Sequence, residues 1–162
     1  MKNVVIFDLD GTLADLSPRL HLMPTKDLHL TDSWTEFNKA CGGDFPIRDT
    51  IAVCNAMWEA GYTVIILTMR SDIAEDETMS WLDDNGVTYC CLKMRPHGDN
   101  RKDYIIKEEY LRDVVGLDNI VAAWDDSPSV VAQFRSMGIT TYQVAADVER
   151  NDLMSHGVEK LK

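Results

Sequence analysis

Short apolar runs alternate with helical patterns along this chain, and this alternation constrains the fold more than any other feature. The apolar runs predict five strands: Val4–Asp8, Thr63–Thr68, Thr88–Leu92, Ile120–Trp124 and Ile139–Val144. Runs such as 64–67 (VIIL) have no polar face, which is typical of strands that are buried on both sides of a parallel sheet. We therefore expect an α/β fold with a doubly wound, mostly parallel sheet and helices on both of its faces.

The helices between these strands have recognisable ends. Serine, aspartate or asparagine is common at the start of a helix, and glycine is common just past its end. These signals predict helices over Asp49–Ala60, from Ser71 or Asp72 to about Asn85, from Asp99 or Asn100 to Gly116, and from Ser127-Pro128 to Gly138.

Length and composition fit one domain over residues 1–162, with a large enough core to need no disulfides. No apolar run is long enough to cross a membrane. The four cysteines show no disulfide framework, so we expect reduced thiols in a cytoplasmic protein. The net charge, 16 − 27 = −11, argues against a broad nucleic-acid groove, although a few arginines in a cleft can still bind one nucleic-acid end.

One segment interrupts the alternation. The stretch from Gly11 to Arg48 has no clear strand, and only Ser33–Ala40 has the pattern of a short helix. Residues 14–48 form the interrupting segment. The segment is too short for a separate domain. We interpret it as a short insertion or minimal cap after the first strand, which leaves the site open.

The strongest chemical signal is Asp8-Leu9-Asp10-Gly11-Thr12 at the end of the first strand. Side chains two residues apart on a strand point the same way, so Asp8 and Asp10 are expected to face one side. Ligands of open α/β sheets bind outside the carboxyl ends of the strands, where this pair lies. Gly11 permits a sharp turn and a close approach to the backbone.

A second acidic pair, Asp125-Asp126, follows another predicted strand. Four carboxylates at one sheet edge repel one another unless a cation or a proton relieves them. Because oxygen ligands suit Mg²⁺, the sequence predicts a magnesium site formed by Asp8, Asp10, Asp125 and Asp126. As single residues, these aspartates would be ordinary turn or capping residues.

Two further strand or helix ends complete a predicted phosphate site. Thr68 ends its strand, and its hydroxyl can donate to a phosphoryl oxygen; Arg70 lies two residues on. Lys102 lies at a predicted helix N-terminus, where backbone N–H groups already favour an anion. Taken singly, Thr68 is equally well explained as a strand-end hydroxyl, and Lys102 is better explained as a surface lysine. Their positions after the correct strands favour the phosphate site for both.

The order DLDGT, Thr68, Lys102 and Asp125-Asp126 resembles the four motifs of the haloacid dehalogenase superfamily of phosphohydrolases. The resemblance spans nearly the whole chain and implies a Rossmann-like core with Mg²⁺-dependent phosphoryl transfer. It implies Asp8 as the nucleophile that forms an aspartyl-phosphate. It also implies Asp10 as the general acid and base, with a pKa held up in the free enzyme, and Thr68 and Lys102 as ligands of the phosphoryl oxygens.

A narrower resemblance is to the 3′-phosphatase half of phage-type polynucleotide kinase–phosphatases. It is carried by GDNRKDYIIKEEY, by the WDDSP and YQVA stretches, and by Arg19 downstream of DGTLA. Residues carried over to substrate binding are Arg19, Arg70, Asp99 and Arg101. The chain departs from that family in having no G-x-x-x-x-G-K-[ST] motif and in carrying Met69 where glycine is common.

The resemblance implies removal of 3′-phosphates from polynucleotide ends, an activity used in DNA repair. No obligate protein partner can be inferred from the sequence. The net charge of −11 favours a smaller substrate, so a 5′- or 3′-nucleotidase stays open as the alternative. Trp34, Phe37 or His21 could stack on a base, or simply pack the insertion. A phospho-acceptor signalling domain is a remote third alternative. In that class the acidic pair follows the first strand and the phosphorylated aspartate comes mid-chain, whereas here Asp8-x-Asp10 comes first and the Asp125-Asp126 pair comes late.

Overall fold

The computed structural model describes residues 2–144. Its strands are β1 (Val4–Phe7), β2 (Ala14–Asp15), β3 (Phe45–Pro46), β4 (Thr63–Ser71), β5 (Cys91–Arg95), β6 (Ile120–Asp125) and β7 (Thr141–Gln143). Its α-helices are α1 (Thr35–Lys39), α2 (Arg48–Glu59), α3 (Glu75–Asp84), α4 (Asp103–Tyr110) and α5 (Pro128–Ser136). Met1 and residues 145–162 lie outside the description, as does the last residue of the YQVA stretch.

Five strands form one parallel sheet in the order β5-β4-β1-β6-β7. The chain builds outward from β1 through β4 to β5, then returns to the other side of β1 with β6 and β7. The predicted doubly wound parallel sheet is therefore confirmed. This order creates a switch point between β1 and β6, the place where ligands bind in open α/β sheets.

Alternate residues of β1 contribute to two cores, one on each face of the sheet. Val4 and Ile6 pack in a cluster that includes Ile106 of α4 and Phe134 of α5. Val5 and Phe7 belong to the opposite cluster, in which the sheet meets α2 and α3. All four residues are buried, which explains why the β1 sequence has no polar face.

Strand boundaries differ most from the sequence expectation at β4 and β5. β4 continues past Thr68 to Ser71, with an irregular register against β5 between Leu67 and Ser71. β5 begins at Cys91 rather than at Thr88, because the Asn55 side chain accepts hydrogen bonds from the Thr88 amide and hydroxyl. Thr88 is thus held by α2 instead of by the sheet.

The insertion has more regular structure than predicted. β2 and β3 pair antiparallel and close its base, and 3₁₀ turns surround α1 between them. Its far end is tied to the loop before α4: Gly98 N donates to Thr31 Oγ1 at 2.9 Å, and His97 Nε2 lies 2.8 Å from Asp32 Oδ1. These contacts hold the insertion beside the carboxyl edge of the parallel sheet.

No helix within residues 2–144 is both long and apolar enough to cross a membrane.

Candidate active site

Asp8 and Asp10 follow β1 at the carboxyl edge of the sheet, as predicted. The Asp8 amide donates to the Trp124 carbonyl at 2.9 Å, which extends the pairing of β1 with β6 up to the nucleophile candidate. Leu9 turns back into the core and is fully buried. The two carboxylates and the Asp125-Asp126 pair line one cavity of about 80 Å³.

Gly11 permits the close approach of the two acidic segments. Its φ of 81° lies in the left-handed region, which side chains with a Cβ disfavour. A Cβ built at this position would lie 2.0 Å from Asp126 Oδ2. Glycine is therefore required at this position both for the backbone turn and for the space that Asp126 occupies.

Three carboxylates form a compact cluster at the switch point: Asp8, Asp125 and Asp126 each offer an oxygen within 4.8 Å of the other two. Burial raises the pKa of Asp8 well above its usual range; Lys107 opposes this shift, whereas Asp125 and Asp126 add to it. Burial, together with Asp125, raises the pKa of Asp126 to about 7. The cluster therefore concentrates carboxylates that repel one another, and a cation bound there would relieve this repulsion.

This cluster fits a magnesium ion. Its donors are all hard carboxylate oxygens from two converging segments, the type of ligand that Mg²⁺ prefers. The side chain of Asp10 is not part of the cluster, so any contribution of Asp10 to a metal would come from its backbone carbonyl.

Lys107 is the cation that faces this cluster. Its Nζ lies 3.1 Å from Asp8 Oδ1 and 2.8 Å from Asp125 Oδ2, and the residue is 3% exposed. Burial would lower the pKa of Lys107, but the carboxylates of Asp125 and Asp8 raise it on balance. Lys107 thus stays charged inside the site.

Lys102, expected here from the sequence, does not reach the site. It precedes α4 as its N-cap, and its side chain is exposed. Lys107 lies more than one turn further along α4, on the face that carries the buried Ile106. One signal in the sequence could have identified Lys107: it follows Asp103 by four residues, and residues four apart share a helix face. The preference for anions at a helix N-terminus favoured Lys102 instead.

Asp10 lies between two buried arginines. Arg19 Nη2 donates to Asp10 Oδ1 at 3.0 Å, and Arg70 Nη2 donates to the same oxygen. Burial would raise the pKa of Asp10, but Arg70 and Arg19 outweigh it, and the pKa is lowered. This direction is opposite to the sequence expectation of a raised pKa, because sequence spacing alone did not show that both arginines converge on one carboxylate.

Asp44, which sequence reasoning missed, orients both arginines from the insertion. Its carboxylate accepts from Arg19 Nε at 2.7 Å and Nη2 at 2.8 Å, and from Arg70 Nη2 at 3.3 Å. The Arg19 guanidinium also lies over the Phe37 ring, 4.2 Å from its centroid. Arg19 and Arg70 are thus brought together at Asp10 through a residue with no motif of its own, and Arg70 also lines the cavity.

Thr68 lies in the same cavity and is fully buried. Its Oγ1 accepts a hydrogen bond from the Arg70 amide at 3.1 Å. Met69 causes no break here, because its side chain packs in the core while β4 runs on to Ser71. The strand itself therefore positions Thr68 and Arg70.

Asp99 and Arg101 are not brought to the cavity. Arg101 Nη2 pairs with Asp99 at 2.7 Å and Arg101 Nη1 pairs with Glu109 at 2.7 Å, in an exposed group beside α4. The inner end of this loop is held by Arg95, which is fully buried. Arg95 donates to the carbonyls of Asp99 and Arg101 and to the carboxylate of Asp103.

Residues 2–148 match the family model of the polynucleotide kinase PNKP phosphatase domain. The chain belongs to this family. It is a phosphatase of the haloacid dehalogenase type, and the resemblance found in the sequence is confirmed.

Relatives of this phosphatase include longer proteins. A viral protein of Autographa californica nuclear polyhedrosis virus, named as a bifunctional polynucleotide kinase/RNA ligase, is 29% identical over 147 residues, or 88% of this chain and 19% of that protein. A chain in the structure of a Pnkp1/Rnl/Hen1 complex is 28% identical, with a TM-score of 0.70 over 88% of this chain and 46% of that chain. The phosphatase thus spans about a fifth of the viral protein and about half of the chain from the complex.

The fold alone is shared more widely. A haloacid dehalogenase-like hydrolase from Streptococcus pneumoniae has a TM-score of 0.59 at 16% identity, over 88% of this chain and 84% of that one. This similarity supports the α/β architecture.

Proposed function

We propose that this phosphatase is Mg²⁺-dependent and removes 3′-phosphates from polynucleotide ends through an aspartyl-phosphate intermediate. The observation that carries the proposal is the position of Asp8: it lies beside the Asp125-Asp126 pair and Lys107, with Asp10 two residues further on. One carboxylate is thus surrounded by the groups that a phosphoryl acceptor needs. The names of the two longer relatives support a nucleic-acid end as the substrate.

In the first step an Asp8 oxygen attacks phosphorus, a bond forms between them, and the bond from phosphorus to the sugar oxygen breaks. Lys107 and Thr68 are placed to hold the non-bridging oxygens, and Lys107 offsets the charge that grows on them. Asp8, Asp125, Asp126 and the Asp10 carbonyl would hold the metal. Bound Mg²⁺ would orient the phosphoryl group and offset its charge against the anionic nucleophile.

Asp10 is proposed to donate a proton to the leaving sugar oxygen. In the second step Asp10 takes a proton from water, the water oxygen attacks phosphorus, and the bond to Asp8 breaks. In the structure the two arginines lower the pKa of Asp10, which opposes the first of these roles. A phosphate bound in the cavity would draw the guanidinium of Arg70, which lines that cavity, toward its own oxygens. Asp10 would then lose the contact that contributes most to keeping it ionised.

Phosphate release from a panel of substrates tests this proposal. The panel contains 3′-phosphorylated and 5′-phosphorylated oligonucleotides, 3′- and 5′-mononucleotides, and p-nitrophenyl phosphate, each with Mg²⁺ and with excess chelator. We expect the 3′-phosphorylated oligonucleotide to have the highest kcat/KM, because contacts beyond the scissile phosphate add binding energy. Asp8→Asn should lower turnover by at least about 10³-fold, and full activity in chelator would contradict the metal assignment.

A nucleotidase is the second candidate, and the net charge of −11 favours it, since it disfavours long nucleic acids. If a 5′-mononucleotide is hydrolysed best and lengthening the strand adds nothing, this candidate replaces the first. Trp34 and Phe37 line the cavity, but they are only 3% and 1% exposed because they pack in the small core of the insertion. Neither ring has an exposed face on which a base could stack, so stacking does not support this candidate.

A further inference from the structure

One polar side chain in the cavity has no protein partner. Asn38 lies on α1 of the insertion, is 5% exposed, and lines the same cavity as Asp8 and Asp10. Within residues 2–144, no group makes a hydrogen bond with its side-chain amide. Its amide atoms are not among the fully enclosed unpaired polar atoms of the described residues, so they face the cavity rather than the packed core. An amide in this position, inside a substrate cavity, points to a group that the substrate supplies.

The residues around Asn38 indicate that it contacts a neutral group of the substrate rather than the phosphate itself. The charged and hydroxyl groups suited to phosphate come from the sheet edge and α4: Thr68, Arg70 and Lys107. The insertion contributes Leu16, Trp34 and Phe37 to the cavity, and all three are apolar and buried. Asn38 is therefore an uncharged polar group in an apolar wall, which suits the sugar that carries the phosphate.

We infer that Asn38 is a specificity-determining residue that hydrogen-bonds the sugar hydroxyl next to the scissile phosphate. A primary amide offers both a donor and an acceptor, which matches a hydroxyl group. At a 3′-phosphorylated end, which is the substrate class of the proposed function on which this inference rests, that hydroxyl is the ribose 2′-hydroxyl. A deoxyribose end would leave the amide buried and unpaired, so the enzyme discriminates in favour of ribose ends.

The test compares three proteins on three substrates. The proteins are the wild type, Asn38→Ala, and Lys39→Ala as a matched control, since Lys39 is on the same helix but half-exposed and outside the cavity. The substrates are a 3′-phosphorylated oligoribonucleotide, the oligodeoxyribonucleotide of the same sequence, and p-nitrophenyl phosphate, which has no sugar.

We expect the wild type to prefer the ribose end by about tenfold in kcat/KM. Asn38→Ala should lose that preference, with its activity on p-nitrophenyl phosphate within about threefold of the wild type, and Lys39→Ala should keep it.

Each contrary outcome has its own meaning. A wild-type ratio near one, or a ratio that Asn38→Ala leaves unchanged, overturns the role of Asn38 while the 3′-phosphatase function stands. An equal loss on all three substrates also overturns it, because Asn38 would then serve the phosphate or the fold. If Asn38→Ala does not fold, the closely sized Asn38→Leu replaces it. If the wild type hydrolyses p-nitrophenyl phosphate but neither oligonucleotide, the proposed function itself fails, and this inference fails with it.

Discussion

Lys107 Nζ donates to Asp8 Oδ1 across 3.1 Å, although the two residues are 99 positions apart in the chain. The same ammonium donates to Asp125 Oδ2 at 2.8 Å, so one buried cation joins the carboxyl ends of β1 and β6. Removal of one partner of a buried pair leaves an uncompensated charge. Lys107 therefore contributes to the electrostatic balance of the free site and is placed to contact a phosphoryl group.

The two lysines of this region make a matched pair of variants. We expect Lys107→Met to lower kcat for p-nitrophenyl phosphate by about 10²–10³-fold, because a positioned donor to the developing charge is lost. Lys102→Met should stay within about threefold of the wild type, since its side chain is exposed and outside the cavity. Steady-state phosphate release measures both variants, and circular dichroism checks that both are folded. A large loss in Lys102→Met with little loss in Lys107→Met would reverse the assignment.

Arg70 tests whether the geometry of a guanidinium matters, or only its charge. Arg70 uses all three of its guanidinium nitrogens to contact Asp10, Asp44 and Thr78. Lysine keeps the charge but cannot make these contacts together. We expect Arg70→Lys to lower kcat/KM by about tenfold to 100-fold, the equivalent of one or two charge-assisted hydrogen bonds.

The exposed Arg112, which pairs with Glu108 on the surface, supplies the control. Arg112→Lys should retain wild-type kinetics. Wild-type kinetics in Arg70→Lys as well would show that a positive charge alone suffices at this position.

Gly11→Ala is expected to damage both the stability and the site. Its φ of 81° costs an alanine about 1–2 kcal/mol, and the new Cβ would displace the Asp126 carboxylate. We expect the free energy of unfolding to fall by at least that amount and Mg²⁺ to bind more weakly. Gly43→Ala is the control, because its Cβ would meet no atom within 4 Å and its φ is not positive. Urea unfolding and magnesium titration would measure these effects, and equal behaviour of the two variants would contradict the steric argument.

Stability without metal should depend on pH through Asp126. Its pKa of about 7 in the folded state lies above the usual value near 3.8, so between these values the folded state holds a proton that the unfolded state has released. This proton stabilises the fold at lower pH, and its contribution is lost as the pH rises from about 4 toward 7. Asp126→Asn should remove this part of the decline, because asparagine does not titrate.

Thermal unfolding from pH 5 to pH 8, with and without Mg²⁺, measures this dependence. The Tm of the metal-free wild type should fall relative to that of Asp126→Asn as the pH rises. Mg²⁺ should raise the wild-type Tm most at the high end of the range, where the carboxylate is ionised and can bind it. Parallel curves for the two proteins in the absence of metal would exclude a raised pKa at Asp126.

Local pattern in the sequence predicted the sheet and the positions of Asp8, Asp125 and Asp126 at its carboxyl edge. Val4–Phe7 has no polar face, so it had to be buried on both sides. Asp8 and Asp125 each end such a run, and the carboxyl ends of parallel strands meet at one edge. Their place at one edge thus follows from the strand pattern, and so does that of Asp126 beside Asp125. Their close approach follows from the neighbouring positions of β1 and β6 in the sheet.

Contacts between distant segments decided the rest. Whether Lys102 or Lys107 faces Asp8 depends on the rotation of α4 against the sheet, which the packing of Ile106 and Leu111 fixes. The low pKa of Asp10 depends on two arginines and Asp44 that converge from separate segments. Spacing along the chain carries no such information, because the orientation of a helix and the course of an insertion are set by what they pack against.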